Sequence, residues 1–226
     1  MLIHPTRPAH PLVEPADFAA DRLPGPVAAH EEALRAVHRW SREYLCEPHP
    51  DLGRRGDVCP YTGTSLQKNV FFLSVHPGRP TDPAELADLL LHYRDWFAEL
   101  EPTSGPAAQF KTILVLFPDL GGDGGFDVVD RTQEMLKVEY ADHGLMLGEF
   151  HPGPPDKEGL WNPRFRPLSS PVALLGMRHM VPTDFPFVRG DDVTLAVYLR
   201  LFGERVPTHL RREVQAAADR LATSGS

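Results

Sequence analysis

The chain has little of what ties a protein to nucleic acid or to a bilayer. Its 23 lysines and arginines are outnumbered by 31 aspartates and glutamates, giving a net charge of −8. No clustered basic face of the kind that neutralises phosphates is visible. Apolar runs such as "TILVLF" and "PVALLGM" fall far short of the roughly 20 residues that a membrane-crossing helix needs. The N-terminal stretch "MLIHPTRPAHPLVEPADF" lacks the basic start and continuous apolar segment of a secretory leader, which points to the cytoplasm. Only two cysteines are present, Cys46 and Cys59, and in a reducing compartment they are expected as free thiols. There is no C-x-x-C, no H-E-x-x-H and no serine in a nucleophile elbow, so zinc ribbons, dithiol redox motifs, zinc proteases and serine hydrolases lose their sequence support.

What is present describes a globular protein. The 226 residues are 42% hydrophobic and 24% charged, enough for a genuine core without staples. Proline is the outlier at 24 residues, about double the usual 5% or so, so many segments must be extended or turn-like. Residues 1–28 read as an extended N-terminal arm and 29–226 as a single globular domain. Helical spacing of apolar residues predicts helices over His30 to Leu45, from Asp82 to about Leu100, from about Phe126 to Tyr140, from Asp191 to about Phe202 and from Pro207 to Leu221. Strands are predicted over Asn69 to His76, Lys111 to Pro118, Gly144 to His151 and Pro171 to Met180. The expected fold is α/β in the wider α+β sense. A central mixed sheet of about four strands in β-α-β-α-β-β order carries packed helices, and helices at both ends of the chain cover one of its faces.

Several short stretches can carry chemistry. "DLGGDGG" lies between a strand and a helix, where phosphate loops occur, but it lacks the Lys-Ser/Thr of a P-loop and carries two aspartates; a flexible turn is the better reading. "GDVCPYTG" presents Cys59 from a proline-stiffened loop, either as a thiolate able to ligate iron or as a small packed hydrophobe. "EFHPGPP" ends a strand on His151 and locks the exit with prolines. Residues two apart share a strand face, which favours a Glu149–His151 interaction. Arg164 and Arg166 alternate with Phe165, and Arg178 follows on the next strand. These guanidiniums can grip carboxylates, while Phe150, Trp161 and Phe165 can wall a flat ligand. Each arginine alone is equally explained by a surface ion pair. His76 and His179 read as strand-end histidines.

The order "CPYTGTSLQKNVFFLSV", "YRDWFAEL", "ILVLFP", "GLMLGEFHPGPP" and "NPRFRPL" resembles the YqcI/YcgG-type family over about residues 56 to 180. The resemblance implies a small haem protein that activates dioxygen or peroxide and N-hydroxylates a small amine or amino acid in natural-product biosynthesis. It implies haem b as cofactor, His151 as iron ligand with Cys59 as the alternative, and Arg164 or Arg166 as the arginine that follows; Arg178, Phe150, Phe165 and Trp161 join the cofactor site from the residue pattern itself. The stretch "HPGPPDKEGLWNPRFR" departs from the family pattern, which puts the substrate in doubt. A haem- or ligand-binding sensor or carrier without turnover, and a cofactor-free accessory interaction protein, are the competing readings. No nucleic acid or membrane partner is expected, and a homodimer is left open.

Overall fold

The computed structural model describes residues 1–23, 25–122, 125–153 and 162–224. In chain order the main elements are α1 (Glu31–Trp40), continued by a wider π turn at Ser41–Leu45, then α2 (Thr62–Gln67), β1 (Phe71–Val75), α3 (Pro83–Glu99) and β2 (Thr112–Leu116). They are followed by α4 (Asp127–Asp142), β3 (Leu145–Phe150), β4 (Leu174–His179), α5 (Phe185–Val188), α6 (Asp192–Phe202) and α7 (Arg211–Ser224). This is an α+β fold whose helices pack on a four-stranded mixed sheet. Local chemistry sets the boundaries. The Asp82 carboxylate accepts the Ala84 amide at 2.9 Å and Pro83 opens α3, an N-cap followed by a residue that has no amide to orphan. Asp191 caps α6 the same way, accepting the Thr194 amide at 2.8 Å.

The sheet order is β1-β2-β4-β3. β1 and β2 are parallel, with Leu73 beside Leu114, while β4 is antiparallel to both neighbours. It follows that β1, β2 and β3 all run one way and deliver their carboxyl ends to a single edge. The loops that follow them meet there.

Period-two alternation assigns the two faces. One presents Phe72, Ile113, Val115, Leu147, Leu175 and Met177 to Leu86, Leu90, Tyr93, Val129 and Leu136 of α3 and α4. The other presents Phe71, Leu73, Leu114, Leu116 and Leu174 to Leu34 and Val37 of α1, with Val13, Leu23 and Val27 from the segment before it. Each such side chain, fully withdrawn from water, contributes about 1.5–3 kcal/mol before conformational entropy is charged against it. Gly148 and Gly176 leave the seat for the Phe150 ring on the α1 face. A Cβ on Gly148 would stand 3.1 Å from Phe150 Cε2, and one on Gly176 would stand 2.8 Å from Leu114 Cδ2.

The C-terminal helices take a different position from the one the sequence suggests. α6 and α7 do not join α1; they form a third cluster in which Phe185, Leu195, Tyr198 and Val214 pack with Met180 and with Ala141 at the end of α4. The cause is the direction of β4. Running antiparallel, it returns the chain to the far edge, where the Met180 amide donates to Gly144 O at 2.8 Å beside the end of α4. No helix among the described residues is long and apolar enough to cross a membrane.

Candidate functional site

The carboxyl edge of the parallel strands is where open α/β sheets hold ligands. Here the β1–α3 loop and the glycine-rich β2–α4 loop enclose a cavity of about 310 Å³, bordered by Arg79, Thr81, Asp119, Gly121, Asp127 and Arg131. The loops are tied together, since Asp119 Oδ2 accepts the Gly78 amide at 2.7 Å. Gly125 is required by close backbone approach, because a Cβ there would lie 2.5 Å from Gly121 O. Asp119, Leu120, Gly121 and Gly125 of "DLGGDGG" thus border the cavity, and Asp119 fastens the neighbouring loop. Among the described residues, neither Arg79 nor Arg131 has an ion pair or a side-chain hydrogen bond. Two guanidiniums thus border one cavity without an ion pair among the described residues, alongside the carboxylates of Asp119 and Asp127.

His151 closes the same edge behind the start of α4. Its backbone continues β3 into a bridge with Ser169, and its side chain is 3% exposed. Nε2 lies 3.3 Å from Asp130 Oδ1 and Nδ1 lies 3.3 Å from Pro152 O. The ring stacks on Phe126, with centroids 4.6 Å apart and planes 16° from parallel. Phe126 follows the cavity-lining Gly125, and Asp130 precedes the cavity-lining Arg131. The carboxylate facing His151 is thus Asp130 on α4, where the sequence reading favours Glu149. Glu149 is itself buried.

The remaining predicted residues are not gathered around His151. Alternation puts Phe150 on the α1 face, where its ring meets Trp40 at 5.9 Å. Arg178 points to that same face and is occupied. Its guanidinium holds the buried Asp184 carboxylate through bonds of 2.7 and 2.8 Å and lies 5.4 Å from the centre of the Tyr61 ring. Burial works to lower the pKa of Arg178, but the Asp184 charge more than offsets it and raises that pKa above the ordinary value. The arginine expected to grip a ligand's carboxylate grips the protein's own. Cys59 hangs on the π turn, its amide donating to Leu45 O at 2.8 Å. Both cysteines are free and half-buried. Burial, reinforced by Cys59, pushes the Cys46 thiol up to about 11. Phe165 is buried with its ring 4.7 Å from His49. Arg166 donates to Pro163 O at 2.6 Å, and Arg164 is exposed. Trp161 lies outside the described residues.

A haem iron takes a free imidazole nitrogen or a thiolate that faces a porphyrin-sized opening. His151 as placed has both ring nitrogens against oxygens and almost no exposure. Cys59 sits apart from it, beside Cys46. These side chains do not fit a haem in this arrangement. The residues that do converge on a cavity, Arg79, Asp127 and Arg131 with Asp130 behind them, escape the sequence reading. Their signal is only positional: short loops after β1 and β2 that open helices.

Residues 34–213 match the model of a domain of unknown function, DUF6875, and the chain belongs to that family. No curated protein and no solved structure matches the chain.

Proposed function

We propose that the chain binds a small zwitterionic metabolite of amino-acid type at the carboxyl edge of its sheet. The observation that carries this reading is that Arg79 and Arg131, which have no ion pair among the described residues, border one cavity together with Asp119 and Asp127. Guanidiniums bind carboxylates through paired, charge-assisted hydrogen bonds. Asp127 at the first residue of α4 has no side-chain partner among the described residues and supplies the counter-charge for an ammonium group. A cavity of about 310 Å³ is at the lower end of ligand-site sizes and matches a molecule of about ten heavy atoms. The amino-acid class named by the resemblance is kept on this independent ground. The iron chemistry named with it is not, because the His151 ring is buried against Asp130 and Phe126. The His151–Asp130 pair acts by positioning: it anchors the first turn of α4 and, through Phe126, the loop before it, and so fixes Arg131.

Thermal unfolding in the presence of a compound panel tests the reading. Free amino acids at about 100 times their dissociation constant should stabilise the protein by about 2.7 kcal/mol, which raises the melting temperature by several degrees. The matching amines without a carboxylate, and the matching acids without an amine, should each give less than half that rise. If no zwitterion stabilises the protein, or the simple amines do as well, the reading fails.

A further inference from the structure

Among the described residues, three of the five buried side-chain nitrogen and oxygen atoms that lack a hydrogen-bond partner, His10 Nδ1, His76 Nδ1 and His92 Nε2, belong to one place. Leu2 and Leu12 exchange backbone hydrogen bonds of 2.8 and 2.9 Å and close residues 3–11 into a loop. Beyond it the chain is pinned, since Val13 and Leu73 exchange bonds of 2.7 and 3.0 Å at the free edge of β1. The loop lies on α3 and on the end of β1 through imidazoles. The His4 ring stands 4.7 Å from His92 and 5.0 Å from Trp96; the His10 ring stands 5.6 Å from His76 and 6.4 Å from Tyr93. Four histidines and two aromatics thus line the seat of a surface loop, whose last residue is also held by the Ser74 hydroxyl donating to Pro11 O at 2.9 Å.

The seat accepts these rings only while they are neutral. Whatever the tautomer, a second proton on His10, His76 or His92 creates a cationic N–H that faces no acceptor, and a buried unmet charged donor is costly. The charged groups around the seat add to the cost. His92 faces Arg7, His4 and His10 from the loop, with only Asp95 on its own helix in opposition. The Asp95 carboxylate is held by Arg94 at 2.6 Å. His76 faces His10, with Glu85 of α3 opposing, and His10 faces Arg7.

We propose that residues 3–11 form an acid-released flap: protonation of His10, His76 and His92 lifts it from α3 and frees the loop that begins at His76 and carries Arg79. The flap is thereby a pH-sensitive wall next to the cavity. Burial, more than any neighbour, depresses the pKa values of His10, His76 and His92, the last to about 4. A free histidine, with a pKa near 6.5, takes its proton first. Seating is therefore fully favoured above about pH 6.5, and the penalty grows as pH falls from there toward 4.

Hydrogen exchange of the full chain, read by mass spectrometry and corrected for intrinsic rates, tests the flap. Protection over residues 2–12 should fall about tenfold between pH 7.5 and pH 5, while that of 112–116 changes less than twofold. With His10→Gln and His92→Gln together, the fall in flap protection between pH 7.5 and pH 5 should shrink to less than about threefold, His76 being the buried imidazole that remains. Arg7 is exposed, so Arg7→Gln leaves the fold intact; it should shift release to lower pH by relieving His92 and His10. Protection over 2–12 that is constant to pH 5, or that falls in step with 112–116, overturns the proposal. If the double glutamine variant leaves the flap unseated at pH 7.5, Arg7→Gln decides, and a release curve identical to that of the unaltered chain refutes it.

Discussion

Replacing Asp184 by Asn should lower the unfolding free energy by roughly 2–4 kcal/mol, one of the two largest effects expected for this chain. Breaking a buried ion pair from one side leaves an uncompensated charge, which costs about 3–5 kcal/mol when burial is complete. Asp184 is 2% exposed but the Arg178 side chain is 23% exposed, so water recovers part of the loss. Asparagine retains an oxygen for the Val181 amide, which donates to Asp184 at 2.8 Å, so the change removes the charge and the hydrogen bond from Arg178 Nη2 while keeping that of Val181. Urea unfolding provides the measurement. Arg178→Met combined with Asp184→Asn should recover most of the loss, because it avoids the stranded guanidinium and keeps an acceptor for the Val181 amide. A single variant within 0.5 kcal/mol of the unaltered protein would mean that the pair is not what seats residues 181–188 against β4.

The second large effect concerns binding. Arg79→Ala with Arg131→Ala should weaken amino-acid binding by at least about 100-fold, since each charge-assisted hydrogen bond contributes about 1.5–3 kcal/mol. Isothermal titration would read the change. Stability should stay within about 0.5 kcal/mol, because both side chains are exposed and have no partner among the described residues to abandon. That separation distinguishes a binding role from a structural one. Equal affinity in the variant would remove the arginines from the site.

The secondary structure was readable because its signals are local. The β-branched and aromatic run at Phe71 to Val75, bounded by turns, and the Asp82–Pro83 cap need only neighbours a few residues away to be interpreted. The short helix α2 has no amphipathic period long enough to register, and α5 opens with a proline inside an apolar run. What was not legible depends on pairing across the chain. Arg178 reads as a ligand grip until the fold turns Asp184 back onto it. His151 reads as an open ligand until α4 delivers Asp130 from 21 residues upstream. Arg79 and Arg131 look ordinary in sequence, and only the shared edge of β1, β2 and β3 brings them to one cavity. The histidines of the N-terminal segment likewise gain meaning only beside His76 and His92, on elements far along the chain.

The most direct test of the central claim is a crystal structure of the protein with the best-stabilising amino acid bound. The ligand's carboxylate should lie between the guanidiniums of Arg79 and Arg131, with its ammonium toward Asp127. A ligand seated instead against Arg178 and Tyr61, or one that displaces Asp130 from His151 while the arginines stay in solvent, would contradict it.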